Sequence, residues 1–315
     1  MKKRITIMSV QNKSKRKPNK KPDIFRITAY GLGTVIVLIC AIIIITILVK
    51  KAAEEESSRE QVSNAVNTVA KLDENLFNQE GVSADDLQSQ EEMESIVANW
   101  ETIPVGTVID ASNIDFNNLD YYFVTYEISD EVYNYINGKT YQDNPYVALS
   151  DLRYMKLLHY NFNHELQVGE LIVAADLQED YRGIFMELFV EEYEIQSMYL
   201  PDRYWTGDPT TTDSASIDVN NTSCFMYRPA EGSSKLSMHS YGRAIDINPQ
   251  QNPYVSYSSG EPVWFHENAD DYIDRTTGLP HVITEDDICY QIFTKYGYSW
   301  GGAWNNIKDY QHFEK

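Results

Sequence analysis

The last two thirds of this 315-residue chain predict an α+β domain. Apolar and polar residues alternate over 158–162 and again over 168–173, which predicts a β-hairpin. Apolar residues at positions i, i+3, i+4, i+7 and i+8 from Tyr181 predict an amphipathic helix over 177–191. Short strands mixed with helices, with no internal repeat, are typical of the α+β class.

Three further segments complete the predicted order of elements. Ser129 precedes two acids and a short apolar run that ends at Gly138, which predicts a short capped helix. Residues 205–223 are rich in Thr, Asp and Ser, and we expect a long polar loop there. Residues 285–296 place apolar side chains on one face and predict another helix.

The composition excludes several classes of protein. The chain has 47 Asp+Glu against 26 Lys+Arg and a formal net charge of −21. Such an acidic chain is a poor nucleic-acid binder, because binding phosphates requires a basic surface. Three cysteines are too few for a disulfide framework, although one Cys224–Cys289 bridge remains an alternative to two free thiols.

The N-terminal charge pattern predicts a membrane anchor. Residues 1–26 form a basic arm with net charge +9, and residues 27–49 contain no charged side chain. A helix rises about 1.5 Å per residue, so this segment is long enough to cross a hydrocarbon core of about 30 Å. Lys50 and Lys51 follow it in place of a small-residue cleavage site, which predicts an uncleaved helix. The positive-inside rule places the arm in the cytoplasm and the C-terminal domain outside the cell.

Residues 50–99 are predicted to be an acidic, partly helical stalk. Apolar residues recur at spacings near 3.5 from Val62 to Leu76. This short pattern favours a solvated spacer, with weak dimerisation through the stalk as the alternative. From Trp100 the composition becomes globular and rich in tyrosine, so the extracellular domain is predicted to span 100–315.

Two C-terminal segments carry the residues of a metal site. His239, Asp246 and His312 supply two imidazoles and a carboxylate, and a catalytic zinc typically has three such ligands and one open position. Asp309 precedes His312 by three residues, so its carboxylate is expected beside the metal as a proton acceptor. The remaining histidines lack such neighbours, and we expect them in the core or on the surface: His159, His164, His266 and His281.

Other hydrolytic chemistries have weaker support. The S-x-x-K tetrad of one class of serine hydrolases occurs only in the basic arm, and no K-T-G triad follows it. A cysteine peptidase needs an exposed thiolate beside a histidine. Cys224 lies in an apolar Cys-Phe-Met run that is typical of the core.

The motifs resemble those of a known peptidase family. Ser237 begins S-x-H-x-x-G-x-A-x-D, Trp300 begins W-G-G-x-W, and Asp309 begins D-x-x-H-F. Together they resemble the VanY-like zinc D-alanyl-D-alanine carboxypeptidases and L-alanyl-D-glutamate endopeptidases of bacterial cell walls, over about residues 100–315. The resemblance implies the Hedgehog/D,D-peptidase-like fold, in which a small antiparallel sheet carries the zinc site.

The resemblance also implies roles for individual residues. It makes His239, Asp246 and His312 the zinc ligands and Asp309 the catalytic base, where the dipeptidase branch uses Glu. Arg228 matches the family arginine that polarises the scissile carbonyl or holds a substrate carboxylate, and a fixed guanidinium there would stabilise an oxyanion. Four further residues are candidates either for lining the substrate cleft or for structural roles beside it: Ser237, Tyr241, Trp300 and Trp304.

The sequence therefore predicts a membrane-anchored zinc metallopeptidase that hydrolyses amide bonds in peptidoglycan stem peptides. Cleavage of L-Ala–D-Glu is slightly favoured by the Asp at position 309, and removal of D-Ala from D-Ala–D-Ala is the other option. The alternative from another class is a non-catalytic, zinc-containing wall-binding or regulatory ectodomain. Such a structural zinc would have four protein ligands and no open position.

Overall fold

A computed structural model describes residues 84–230 and 232–315. The predicted basic arm, the predicted membrane helix at 27–49 and the stalk up to residue 83 lie outside these described residues. Within the described ranges, no helix combines the length and the apolar content that crossing a bilayer requires.

Helix α1 (Ala84–Asn99) occupies the end of the predicted stalk. Its residues Ile96 and Val97 pack against the apolar core. Asn113 Nδ2 also donates a hydrogen bond of 2.9 Å to Glu92 of α1. The helix thus belongs to the same compact unit as the domain that follows, which runs to Lys315.

A four-stranded antiparallel sheet follows α1. Its strands are β1 (Val108–Ile109), β2 (Val124–Tyr126), β3 (Leu152–Tyr160) and β4 (Leu166–Ala174), in the order β1-β4-β3-β2. The β3–β4 pair confirms the predicted hairpin. Between β2 and β3 lies helix α2 (Asp130–Ile136), whose N-cap Ser129 accepts a hydrogen bond from the Val132 N–H, as the sequence predicts.

Helix α3 (Gln178–Val190) confirms the predicted amphipathic helix and packs against β3. Its buried face carries the residues that the apolar spacing identifies: Tyr181, Ile184, Phe185, Leu188 and Phe189. These side chains join residues of β3 and β4 in the larger of two apolar clusters.

The prediction of a loop over 205–223 is wrong, because helix α4 (Pro209–Asp218) lies within it. Asp208 accepts hydrogen bonds from the Thr210 and Thr211 N–H groups, and Pro209 occupies the first turn, where its missing N–H has no cost. The helix contains too few apolar residues to show an amphipathic pattern, so capping determines where it begins.

A second, three-stranded antiparallel sheet carries the C-terminal motifs. It consists of β5 (Ala244–Asp246), β7 (Ser299–Trp300) and the central β9 (His312–Glu314). Strands β6 (Tyr254–Ser256) and β8 (Ile307–Asp309) form a separate pair. Helix α5 (Ile288–Lys295) lies in the predicted 285–296 segment and stacks Phe293 on Phe313, with ring centroids 4.3 Å apart. The mixture of helices and small antiparallel sheets agrees with the predicted α+β class.

Gly242 joins the turn that carries His239 to strand β4 of the first sheet. It ends a short 3-10 helix (Met238–Tyr241) with φ +65°, and its carbonyl accepts the Ala174 N–H at 2.9 Å. A Cβ at this position would lie 2.6 Å from Ala174 N and 2.8 Å from Val173 C. Backbone atoms cannot move aside easily, so only glycine fits this contact between β4 and the turn that carries His239.

We predict that Gly242→Ala destabilises the protein by about 1–3 kcal/mol from overpacking, in addition to the cost of a positive φ. Urea denaturation would measure the loss. Gly138→Ala is a matched control, because Gly138 has φ +76° but nothing within 4 Å of the added Cβ. Equal losses in the two variants would contradict the close-contact argument.

Candidate metal centre

Three buried side chains converge on one point. His239 comes from the 3-10 helix, Asp246 ends β5, and His312 begins β9 directly opposite Asp246 in the strand register. His239 Nε2 lies 3.2 Å from His312 Nδ1 and 3.3 Å from Asp246 Oδ2, and His312 Nδ1 lies 3.1 Å from Asp246 Oδ1. The structure thus brings together the three residues that the sequence predicts as metal ligands.

Local backbone contacts hold each of these residues in place. Ser237 caps the 3-10 helix by accepting the His239 N–H at 3.3 Å. Asp246 exchanges two backbone hydrogen bonds with Ser223, of 2.9 and 3.2 Å. Strand pairing with β5 fixes His312. The site is therefore built on paired backbone rather than on free loops.

The hydrogen bonds on the outer side of each imidazole determine its tautomer. His239 Nδ1 lies 2.6 Å from the Cys224 carbonyl oxygen, which can only accept, so Nδ1 carries the proton and Nε2 has a lone pair. His312 Nε2 lies 3.2 Å from Glu314 Oε2, which likewise leaves a lone pair on Nδ1. Carbonyl and carboxylate partners of this kind are usual behind metal-bound histidines.

When both imidazoles are neutral, the atoms that face one another are therefore all hydrogen-bond acceptors: His239 Nε2, His312 Nδ1 and the two oxygens of Asp246. The two nitrogens lie 3.2 Å apart, and each is within 3.3 Å of a different oxygen of the Asp246 carboxylate, so that a cation or a proton is required between them. Donor atoms around a tetrahedral zinc, with bonds of about 2.0–2.1 Å, are about 3.3 Å apart. One ligand atom from each residue lies within 4.8 Å of the others, and the two imidazoles and one carboxylate are a donor set that zinc accepts. No other group of His, Cys, Asp and Glu in the described residues converges in this way.

The charges of the metal-free site follow from the same contacts. Burial alone would raise the pKa of Asp246, but the two imidazoles beside it outweigh burial and hold that pKa well below its usual range. Burial opposes the charged form of His312, whereas hydrogen bonds to Asp246 and Glu314 raise its pKa to about 10. The same contacts favour a proton on His312 Nδ1, shared with Asp246 Oδ1, when no cation is bound.

The three side chains form part of the wall of a cavity of about 500 Å³. Asp309, at the end of β8, also lines it, and its Oδ1 is buried without a hydrogen-bond partner. Burial, which is the largest effect, raises the pKa of Asp309 to about 7. A carboxylate of this kind can exchange a proton near neutral pH.

Arg228 lines the same cavity and is held at both its backbone and its side chain. Its N–H donates to Ser240 Oγ at 3.0 Å, and its carbonyl accepts the Ser237 N–H at 3.1 Å. Its guanidinium pairs with Asp213 of α4 at 2.6 Å, with only 11% and 18% of the two side chains exposed. The buried Nε has no partner. The sequence gives no indication of Asp213, because the segment around it is predicted to be a loop.

The four remaining candidate residues lie in two different environments. Ser237 and Trp304 line the cavity, and the Trp304 ring centroid is 5.4 Å from that of His312. Trp300 is buried and donates its Nε1–H to the Tyr310 carbonyl at 2.8 Å. Tyr241 packs against the smaller apolar cluster. Trp300 and Tyr241 are not among the residues that line the cavity.

The other histidines and the cysteines have contacts outside this group. His159 is buried, His164 and His281 pair with Glu194, and His266 pairs with Asp218 at the cavity wall. Both described cysteines, Cys224 and Cys289, are buried free thiols, so the structure does not contain the alternative bridge between them. Burial raises the pKa of the Cys224 thiol to about 12, which makes it a poor nucleophile.

A family model described as D-alanyl-D-alanine carboxypeptidase matches residues 231–315. This segment contains His239, Asp246, Asp309 and His312, whereas Arg228 and Asp213 precede it. The match confirms the resemblance to the VanY-like family and supports a peptidase role on peptidoglycan. No curated protein and no solved structure matches the chain.

We predict that Asp213→Ala destabilises the protein by roughly 3 kcal/mol, because it leaves the Arg228 guanidinium buried without its carboxylate. Chemical denaturation would measure the loss. Asp176→Ala is the control, since Asp176 pairs with Arg243 but has 67% of its side chain exposed. The control should cost less than about 1 kcal/mol. Similar losses would show that the Asp213 pair is no stronger than a surface pair.

Zinc binding should release about one proton at neutral pH, because the ion takes the position of the proton on His312. Below a pKa of about 10 that histidine is protonated in the metal-free protein, so zinc affinity should fall as the pH falls. Calorimetry in buffers of different ionisation enthalpy measures the released proton. Binding without proton release would show that the three acceptors do not share a proton in the metal-free protein.

Proposed function

We propose that this chain is a zinc metallopeptidase that hydrolyses an amide bond in the stem peptides of peptidoglycan. One observation carries the proposal: two buried imidazoles and a buried carboxylate that could hold a metal ion share one cavity with an unpaired carboxylate oxygen of Asp309 and an unpaired guanidinium N–H of Arg228. The match to D-alanyl-D-alanine carboxypeptidases supports the substrate class.

His239, Asp246 and His312 would hold the metal in this proposal. Bound there, zinc would supply a Lewis acid that polarises the substrate carbonyl and lowers the pKa of water. The donor set has three members within the described ranges, and Glu314 is engaged on the far side of His312. A structural zinc has four protein ligands, so a set of three beside a cavity favours catalysis over a structural role.

Asp309 and Arg228 have complementary roles in the proposed reaction. Asp309 accepts a proton as water adds to the amide carbon, and returns it to the amine nitrogen as the C–N bond breaks. Its raised pKa suits both transfers near neutral pH. Arg228 Nε–H is available to the carbonyl oxygen as negative charge develops there. Asp213 keeps this guanidinium in the cavity wall.

Two bonds of the stem peptide are candidates for cleavage, the bond to the terminal D-Ala and the bond between L-Ala and D-Glu. The description of the matching family supports removal of the terminal D-Ala, and the Asp at position 309 supports cleavage of L-Ala–D-Glu through the resemblance to the endopeptidase subgroup. The fold implied for either activity is the Hedgehog/D,D-peptidase-like fold. The products distinguish the two, since a carboxypeptidase releases a single alanine and the endopeptidase separates L-Ala from the rest of the peptide.

The location of the enzyme is proposed from the sequence alone. The uncharged segment 27–49 would anchor a bacterial cell-wall enzyme in the cell membrane, with the basic arm in the cytoplasm and the acidic stalk outside. This arrangement gives the peptidase domain access to the wall. Weak dimerisation through the stalk stays a prediction.

The proposal is tested by incubating zinc-loaded protein with purified muropeptides and identifying the products by mass spectrometry. We expect hydrolysis that stops on chelation and returns with zinc. Asp309→Asn should retain zinc and lose at least about 100-fold in rate, since the proton acceptor is removed. Asp286→Asn, at an exposed position outside the cavity lining, should behave as wild type.

Two results would contradict the assignment. Hydrolysis by Asp309→Asn at the wild-type rate would exclude Asp309 as the base. Absence of any hydrolysis by the zinc-loaded wild-type protein would favour the non-catalytic wall-binding alternative.

A further inference from the structure

Gln311 is a buried residue of the cavity wall that has no role in the reaction described above. It directly precedes His312, and its backbone carbonyl accepts the Ile247 N–H at 3.0 Å. Only 4% of the residue is exposed, and it lines the cavity. Its Oε1 is buried without a hydrogen-bond partner. An unpaired amide oxygen in the interior is costly and needs an explanation.

Gln251 shows how the same residue is used where it only supports the fold. It too is 4% exposed, but its Oε1 accepts a hydrogen bond of 2.8 Å from Asn220 Nδ2, and it does not line the cavity. The two glutamines thus have equal burial and differ in pairing. The unpaired carboxamide is the one placed beside the candidate metal centre.

Among the described residues, the other buried side-chain atoms of this cavity without a hydrogen-bond partner belong to the proposed catalytic residues. Arg228 Nε and Asp309 Oδ1 are buried without partners, as Gln311 Oε1 is. All three belong to residues that line the cavity. Unpaired groups in a substrate site are available for the substrate, and such sites strongly prefer a ligand that completes their hydrogen bonds.

The charges around Gln311 indicate what kind of group it binds. Four acidic residues line the same cavity: Asp213, Asp246, Asp309 and Glu314. Arg228 is already paired with Asp213. An additional neutral acceptor in these surroundings suits an N–H donor better than a carboxylate. A peptide backbone provides such donors on both sides of the bond to be cut.

We propose that Gln311 binds a backbone amide of the substrate next to the scissile bond, with Oε1 accepting the substrate N–H. The proposal rests on the proposed peptidase function and adds a substrate-binding residue to it. Because the bond exists both in the bound substrate and in the transition state, its loss should weaken binding more than it slows the chemical step.

Gln311→Met tests this role, because it keeps the length of the side chain and removes the carboxamide. We expect KM to rise about 10-fold to 100-fold with kcat within about 2-fold, and zinc content to stay at the wild-type level. The thermal midpoint should not fall, since Oε1 has no partner to lose. Gln251→Met is the matched control, and it should lower the midpoint without changing KM.

A modified substrate makes the test sharper. In synthetic stem peptides the amide N–H groups beside the scissile bond are methylated one at a time. The wild-type protein should lose about 10-fold or more in affinity for one of these peptides, and Gln311→Met should not distinguish that peptide from the parent. Dissociation constants measured in the Asp309→Asn background give the same comparison without turnover.

Failure of this inference differs from failure of the proposed function. If wild type cleaves the peptides but Gln311→Met has an unchanged KM, or is equally sensitive to every methylation, Gln311 does not bind the substrate backbone. A fall in the thermal midpoint with unchanged KM would assign it a structural role. If wild type neither cleaves nor binds the peptides, both the proposed function and this inference are wrong.

Discussion

The candidate site depends on one electrostatic constraint, which is the burial of two imidazoles against one carboxylate. Strands β5 and β9 place Asp246 opposite His312, and the 3-10 helix adds His239. The Cys224 carbonyl and the Glu314 carboxylate hold the imidazole protons on the outer side of each ring. A buried arrangement of this kind is stable only with a cation or a proton at its centre. A cation bound there would lie beside the unpaired groups of Arg228 and Asp309 that line the same cavity.

The position of Arg228 depends on a second constraint, which links this residue to the turn that carries His239. Ser240 and Ser237 bind the backbone of Arg228, and Asp213 of α4 binds its guanidinium. Gly242 brings the same turn against β4. The turn that carries His239 is therefore held by strand β4 on one side and by the backbone of Arg228 on the other. This explains why residues that precede the matched segment 231–315 contribute to the site.

Much of this arrangement follows from the sequence. The C-terminal motifs predict the convergence of His239, Asp246 and His312 and the position of Asp309 beside them, whereas the roles of these residues stay predictions. Strong periodicity correctly predicts the β3–β4 hairpin and α3. Helix α4 is missed because Thr and Ser dominate it and no apolar stripe marks it, and Asp213 is missed with it. An aromatic residue can either line a cleft or pack beneath it, so the sequence cannot separate Trp304 from Trp300. The carbonyl that fixes the His239 tautomer belongs to the backbone and has no sequence signal.

X-ray absorption at the zinc edge of the zinc-loaded protein would test the central claim most directly. We predict a first shell of nitrogen and oxygen at about 2.0–2.1 Å, with the outer-shell scattering of two imidazoles and no sulfur. A sulfur neighbour at about 2.3 Å, a shell with more than two imidazoles, or a protein that retains no zinc would contradict the account.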